Sequence, residues 1–600
     1  MMKQSFLKAS LALVTCGLLA FGAGHARADE QKLPSGLAYD QIGQKIEDYY
    51  HKNEKTSAGL AAAVIDKDGK TLYQQNFGYM DKEKKLAVDD DSVFEWGSTT
   101  KTTVWVSVMQ LWEEGKIDLK ADIRTYLPKN FLKNLKYSKP LTMLDLMNHQ
   151  EGFDETTLYL GHDKSLEELL KKDQPPQTYQ PGQVTAYSNY GTALAAYIVE
   201  RVSGQSYADY VHEHIFQPLG MKNTALKPDL SDNAFVQEKR KSEKTYDSKG
   251  QLMGSSFFEV GLYPAGRAVG KMSDLKLYAQ ALLEKKLLFK KAETWETFYS
   301  ASYKYPEADI PINAHGLWST EYENTRTLGH GGNTTGFTTS LLLDLKSGIA
   351  SVIMVNQGHE TTFTSDMTEL IYGKKKSASK EAVKNFQAGF YRITRTFNQG
   401  PLSLMKMVPM TSHTLYITDP SHSVAHQGFW TAGEKDGRYV ISLPISDYVK
   451  MSTFDVIKDY AFVIFAGLAL AYVLLAYLGA ILIKCYRLIF RKQEQNPAPL
   501  AWKLWHYLTG ALILLLPVNF MTAISTIQAT ASTASSRWQF MIFALVGLAL
   551  IASGLLPFVW PSLFKQASKA RNFLTIATSS AAFIMLANIL YWSLYQWWLL

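Results

Sequence analysis

The stretch Phe94-Glu95-Trp96-Gly97-Ser98-Thr99-Thr100-Lys101 decides how the rest of the chain is read. Ser98 and Lys101 stand three residues apart, at the start of a run through Met109, Leu111 and Trp112 whose spacing predicts an amphipathic helix. On a helix, residues i and i+3 share a face, so the lysine amine is placed to reach the serine hydroxyl. A serine hydroxyl is a weak nucleophile until a base takes its proton, and a desolvated lysine can be that base. The same Ser-x-x-Lys pattern occurs at Ser5, Ser273, Ser377, Ser403 and Ser562, so spacing alone does not select Ser98.

Two later elements make the difference. Tyr187-Ser188-Asn189 follows a Pro181-Gly182 turn and precedes a helix predicted from about Gly191. A loop that ends at a helix can present Tyr187 and Asn189 to a cleft, the phenol as a proton shuttle and the amide as a partner for a substrate carbonyl. Tyr-x-Asn also occurs at Tyr322-Glu323-Asn324. The third element is His330-Gly331-Gly332, within Leu328-Gly329-His330-Gly331-Gly332-Asn333. A glycine-rich strand edge lets a substrate backbone approach closely and extend the sheet, and His330 can bind or polarise an anionic or carbonyl group. Taken alone, this element reads better as a glycine-rich loop with a surface histidine.

The three elements in this order and spacing resemble the serine penicillin-recognising family: class C β-lactamases, D-Ala-D-Ala carboxypeptidases, D-aminopeptidases and related esterases. The flanks carry the resemblance further, from Asp89 to Trp112, from Gly115-Lys116-Ile117-Asp118-Leu119 to Pro128, through Leu141–His149, and from Tyr187 to Thr224. It covers residues 37–372. It implies an α/β fold, a β-lactamase-like antiparallel sheet flanked by helices with a helical subdomain. It also implies that Ser98 attacks a carbonyl to give an acyl-enzyme, with Lys101 and Tyr187 sharing the proton transfers. Asn189, His330, Gly331 and Gly332 would bind substrate, and the backbone N–H groups of Ser98 and Asn333 would form the oxyanion hole. No metal and no cofactor is called for. Family members often carry Lys-Thr-Gly where this chain has His330-Gly331-Gly332; histidine there is seen in peptidases and esterases and argues against efficient β-lactam hydrolysis. Asn148-His149-Gln150-Glu151-Gly152 lacks the usual Thr-Ser-Gly ending, which predicts an altered cleft rim.

Around this domain the chain divides further. With 600 residues, 46% hydrophobic and 20% charged, several parts are expected. A net charge of +7 without a basic, aromatic-laced stripe argues against nucleic acid as a partner. Residues 1–28 read as a secretory signal: Lys3 and Lys8, an apolar run, then Ala26-Arg27-Ala28. Cys16 lies in that run and Cys485 near the far end, so no disulfide is expected. Residues 373–450 read as a lysine-rich linker and a small β-rich module. Four apolar runs, roughly 460–483, 504–524, 538–559 and 573–598 within 455–600, are each long enough to cross a bilayer. Lysines and arginines gather between the first and second and between the third and fourth, which places those loops in the cytoplasm and leaves residues 29–459 outside.

The expectation is therefore a multi-pass protein of a bacterial cell membrane, with a catalytic domain on the extracytoplasmic side. It would act on D-amino-acid-containing peptides, amides or esters of the envelope, with the lipid bilayer as its other partner. The layout is also similar to that of membrane-bound prodrug peptidases of the colibactin-maturation type, which remove an N-acyl-D-amino-acid group. A non-catalytic penicillin-binding-like receptor is the alternative of another class; the short loops between the helices offer it little output.

Overall fold

The computed structural model describes residues 31–600 except 134, 157–163, 173, 255–260, 307, 377–385, 408–412, 421–428, 495, 531–532 and 562–567. The secretory signal read over residues 1–28 therefore lies outside the described residues.

Leu60-Ala61-Ala62-Ala63-Val64-Ile65 and Ile349-Ala350-Ser351-Val352-Ile353-Met354-Val355 are continuous apolar runs, the mark of strands buried on both faces. They are β1 (Gly59–Asp66) and β9 (Ile349–Val355), and they pair antiparallel with Leu60 opposite Val355. Among the described residues the sheet has nine strands. The others are β2 (Thr71–Asp81), β3 (Leu86–Ala87), β4 (Tyr303–Lys304), β5 (Pro311–Ala314), β6 (Leu317–Glu321), β7 (Arg326–Asn333) and β8 (Thr338–Asp344), in the order β3-β2-β1-β9-β8-β7-β6-β5-β4. The first and last parts of the domain thus close the sheet together, as the strand runs at its two ends suggest.

Alternation along the central strands sends side chains to two cores. Leu60, Ala62, Val64, Ile353 and Val355 pack with Ile42, Ile46 and Tyr50 of helix α1 (Ile42–Asn53). Ala61, Ala63, Leu341, Leu343, Val352 and Met354 face the larger core, which holds α2 (Lys101–Glu113), α3 (Asn189–Ser203) and α4 (Met272–Glu284). Helix α2 differs from the amphipathic helix its spacing predicts. Every residue from Lys101 to Met109 is buried, because the sheet covers one side and the helical subdomain the other.

Residues 389–450 form a second sheet of β10 (Gly389–Ile393), β11 (Thr414–Ile417), β12 (Thr431–Lys435), β13 (Arg438–Ser442) and β14 (Tyr448–Lys450), in the order β11-β10-β14-β13-β12. Four helices follow: α5 (Thr453–Ile489), α6 (Leu500–Thr530), α7 (Arg537–Val559) and α8 (Lys569–Tyr591). Each is long and apolar enough to cross a membrane; the shortest have 23 residues, about 35 Å at the α-helical rise. The last helix stops at Tyr591, short of the apolar run, and the chain ends on a short turn at Trp597–Leu599. Arg392 of β10 reaches Asp459 on α5 at 2.7 Å, and the Ser403 hydroxyl donates to the Trp592 carbonyl, so the module rests on the helices through specific contacts.

Candidate active site

Ser98 is held by a short strand and a tight turn. Val93–Glu95 pairs with Val269–Lys271, and the Trp96 N–H donates to the Ala268 carbonyl. Gly97 then takes φ +51°, a left-handed conformation that glycine adopts without strain. A single 3-10 turn, Gly97–Thr100, leads into α2. Glu95 anchors the approach: its buried carboxylate lies 2.9 Å from Arg240 and 3.6 Å from Arg267. Burial alone would raise its pKa, but the two guanidinium groups outweigh that and hold it low.

Lys101, the first residue of α2, is fully buried. Its Nζ lies 3.0 Å from Ser98 Oγ, 2.7 Å from Asn189 Oδ1 and 2.5 Å from the Ala265 carbonyl oxygen. Burial pushes the ammonium pKa well below its ordinary value, and the nearby Arg395 charge pushes it the same way. Asn189 opens α3, with Ser188 as its N-cap, the hydroxyl accepting from the Gly191 N–H. The Tyr187 ring lies 4.8 Å from Lys101 Nζ, and its phenol oxygen is buried with no aligned hydrogen-bond partner. Burial raises the phenol pKa further above its usual value.

His149 and Glu151 support this loop from below. His149 has φ +54°; its carbonyl accepts from Ala186 N–H and its Nδ1 from Ser188 N–H. Its ring lies 4.4 Å from Tyr187 and stacks on Trp318 at 5.4 Å. The departure Asn148–Gly152 therefore lies beneath the Tyr187 loop and helps to shape it. The Glu151 carboxyl is wholly buried beside Ser188 and Gly191, where burial pushes its pKa up to about 8.

The glycine-rich element is the second half of β7. Trp318 to Glu321 of β6 pair with Arg326–Gly329, so the pairing with β6 ends at Gly329; among the described residues His330–Asn333 has β8 as its one ladder partner, and the His330 carbonyl also accepts from the Thr99 hydroxyl at 3.2 Å. An open edge thus exists, but only over these four residues. Thr334 N–H donates to Phe337 O, so by the alternation of an antiparallel ladder the Asn333 N–H points away from β8, and the Asn333 nitrogen lies 2.7 Å from where a Cβ on Gly97 would stand. Gly332 sits against the Gly97–Ser98 turn so closely that a Cβ there would lie 1.8 Å from the Trp96 carbonyl oxygen. His330 lines the cleft, but both ring nitrogens are engaged: Nε2 accepts from Trp318 Nε1–H at 3.2 Å and Nδ1 faces the Gly331 carbonyl at 2.5 Å. Burial and the Lys101 charge lower its pKa to about 3, leaving the ring neutral. In place of a histidine offered to an anion, the structure has a neutral ring braced by Trp318.

These residues meet in one cleft of about 610 Å³, lined by Ser98, Tyr187, Asn189, His330, Gly331 and Asn333 among others. Three lining residues come from elsewhere in the chain: Arg395 and Ile445 from the β-rich module, and Ile527 from α6. The module is bonded directly to the Tyr187 loop. Tyr187 N–H donates to Ile445 O, Asp447 N–H to Thr185 O, and Thr185 N–H to the buried Asp447 carboxylate, each at 2.9 Å. No local pattern marks Arg395 or Ile445, since what places them is pairing with a loop some 200 residues earlier.

Residues 43–372 match the family model described as Beta-lactamase. An unguisins hydrolase of Aspergillus campestris is 25% identical over 378 residues, covering 56% of this chain and 68% of its own length. A penicillin-binding protein of Bacillus subtilis is 23% identical over 360 residues, covering 54% of this chain and 77% of its own. A teichoic acid D-alanine hydrolase of Staphylococcus aureus is 28% identical over 206 residues, 33% of this chain and 49% of that protein. With a family model matched over more than half its length, this chain is an enzyme of the beta-lactamase family, within the serine penicillin-recognising superfamily.

Proposed function

We propose that the chain is a membrane-anchored serine hydrolase that works through an acyl-enzyme on D-amino-acid-containing peptides, amides or esters of a bacterial envelope. The observation that carries this reading is the set of contacts around Lys101 Nζ. A neutral amine has two N–H donors and one lone pair. The Ala265 carbonyl and Asn189 Oδ1 are two acceptors, and taking up both N–H groups leaves the lone pair facing Ser98 Oγ at 3.0 Å. Burial favours that neutral form. Lys101 is therefore the base for Ser98, while Tyr187, whose raised pKa keeps the phenol protonated, serves as the acid at the leaving group.

The steps balance. Ser98 Oγ bonds to the substrate carbonyl carbon as its proton passes to Lys101, and the carbonyl oxygen becomes negative between the Ser98 and Asn333 N–H groups. The bond to the leaving amine or alcohol breaks as Tyr187 gives it a proton, and Lys101 reprotonates Tyr187. Water then attacks the acyl-enzyme by the reverse route and frees the acid and Ser98. Removing one oxyanion-hole donor costs about 100-fold or more in rate. In this reading His330 braces the β7 edge through Trp318, and Asn189 keeps its amide NH₂ for the substrate. Helices α5–α8 and the lysine- and arginine-rich loops support a multi-pass placement with the cleft on the outer side. The hydrolase acting on D-alanyl groups of teichoic acid, among the relatives, supports the substrate class.

Ile527 at the cleft favours a second form of the reading, in which the substrate carries an apolar acyl group, as an N-acyl-D-amino amide would. The test is labelling of the full-length protein by a fluorophosphonate, followed by turnover on D-Ala peptides, D-Ala esters and N-acyl-D-amino amides of increasing chain length. Ser98→Ala is expected to lose labelling and turnover together. Full labelling of Ser98→Ala rejects the nucleophile, and indifference to acyl length rejects the apolar-group form.

A further inference from the structure

The β-rich module does more than support the Tyr187 loop. The geometry points to Arg395 as a specificity-determining residue that holds a carboxylate of the substrate in the cleft. This rests on the reading of Ser98 as the nucleophile of that same cleft.

Arg395 is placed with care for a residue on an appended module. Its backbone N–H donates to Ser446 Oγ at 3.0 Å, and the adjacent Thr394 hydroxyl donates to the Thr185 carbonyl at 2.5 Å. Its guanidinium lies 5.0 Å from the Tyr187 ring centroid, a cation over an aromatic face two residues from Asn189. The residue is thus fixed to the loop that carries the proton-transfer phenol, and its head faces the space where a substrate would lie.

Its hydrogen-bonding capacity is barely used. A guanidinium has five N–H donors in a planar fork suited to a carboxylate. Among the described residues the carboxylate that meets the Arg395 head is Glu155, with Nε 2.5 Å from Oε2, and Nε still lacks an aligned acceptor. Glu155, by contrast, is occupied: its Oε1 accepts from the Thr156 N–H at 3.0 Å and its Oε2 faces Arg395. The unmet demand in the pair is for an acceptor, which calls for an anionic oxygen group rather than a substrate ammonium. The other guanidinium lining the cleft, Arg267, is turned to Glu95 and donates from Nε to the Pro228 carbonyl. His330 is neutral and its nitrogens are taken. A carboxylate entering the cleft therefore meets Arg395, displaces the poorly aligned Glu155 and gains a bidentate partner beside Tyr187.

The test uses the full-length protein in detergent, with acetyl-D-alanyl-D-alanine and its C-terminal carboxamide as probes. Their affinities are measured calorimetrically on Ser98→Ala, which removes turnover from the readout. The free acid is expected to bind Ser98→Ala about tenfold or more tighter than the amide, the scale of one hydrogen bond to a charged group. Adding Arg395→Gln should erase that preference. Adding Glu155→Gln, which leaves Arg395 without its counter-ion, should raise affinity for the acid and not for the amide. Equal binding of the two probes, binding of neither, or a preference that survives Arg395→Gln overturns the proposal. A rise that fails to appear in Glu155→Gln overturns it even where Arg395→Gln disturbs folding. Retained fluorophosphonate labelling in Ser98→Ala would reject the hydrolase reading instead, so the two failures are distinguishable.

Discussion

Gly332→Ala tests whether the oxyanion hole depends on the contact between β7 and the nucleophile turn. A Cβ added at Gly332 would lie 1.8 Å from the Trp96 carbonyl oxygen, 2.9 Å from its carbon and 3.1 Å from the Ser98 nitrogen. Ordinary contact begins near 3.4 Å, so the two backbones must part by about 1.6 Å along that line. The Ser98 and Asn333 N–H groups sit on the two sides of this gap and would no longer converge on one oxygen. A misplacement of about 1 Å costs on the order of 100-fold, and so does the loss of one oxyanion donor. Gly332→Ala should therefore reduce the second-order rate constant of fluorophosphonate labelling by about 100-fold or more in the full-length protein. Its neighbour provides the comparison, since a Cβ at Gly331 meets nothing nearer than the Thr339 carbonyl oxygen at 3.9 Å. Gly331→Ala should lose less than about tenfold, the cost of a methyl group in the cleft rather than of a displaced strand. Labelling of Gly332→Ala at the wild-type rate, or equal losses at the two glycines, would refute the reasoning.

Lys101→Arg puts a permanent cation where a neutral amine is the base, because guanidinium does not deprotonate in proteins; labelling should fall by about 100-fold or more, and near-normal labelling would return the base role to another group. Glu151 ionises near 4.5 in the unfolded chain and near 8 in the folded one, so wild-type stability falls as pH rises through that window. Glu151→Gln should match the wild type in thermal unfolding at pH 4 and exceed it above pH 8, by a few kcal/mol at most; a gap independent of pH would show that the carboxyl is charged where it lies. A chain ending at residue 372 keeps the whole family match but strands the Thr185 and Tyr187 N–H groups, each a buried donor costing about 1–3 kcal/mol if unpaired. It should label far more slowly than a chain ending at residue 450, and equal labelling would make the module dispensable.

The residues proposed to carry chemistry stand out in the sequence because their spacing repeats a local geometry. Ser98 and Lys101 share one helical turn, Tyr187 and Asn189 stand at a helix start, and His330 to Asn333 lie at a strand end, each within a few residues. The strand runs of β1 and β9 were legible for a similar reason, since burial on both faces leaves them almost continuously apolar. What escaped was set by long-range contact. Glu95 reads as one acid in a strand until Arg240 and Arg267 arrive from 145 and more residues away. His330 reads as an available imidazole until Trp318, across a hairpin, occupies Nε2. The burial of α2 on all sides was hidden because Thr102, Thr103 and Ser107 look polar; they return their hydroxyls to backbone carbonyls one turn back and so enter the core without unmet partners.

The module shows how far such contacts reach. Read alone, residues 389–450 are a small sheet with a core of Tyr391, Ile417, Trp430, Ile441, Leu443 and Tyr448, enough for packing and silent about chemistry. Its bonds to Thr185 and Tyr187 change that reading, because a proton-transfer phenol is only as well placed as the loop that carries it. Arg392 then ties the same sheet to Asp459 at the start of α5, and Ile527 of α6 closes one wall of the cleft. Hydrolase domain, module and helices are therefore linked through one short path: Tyr187, the strand ends at 394 and 445–447, Arg392, and α5. A helix bundle used solely as an anchor needs no side chain in the catalytic cleft. The presence of Ile527 there makes α6, one of four helices long and apolar enough to cross a membrane, part of the cleft's shape.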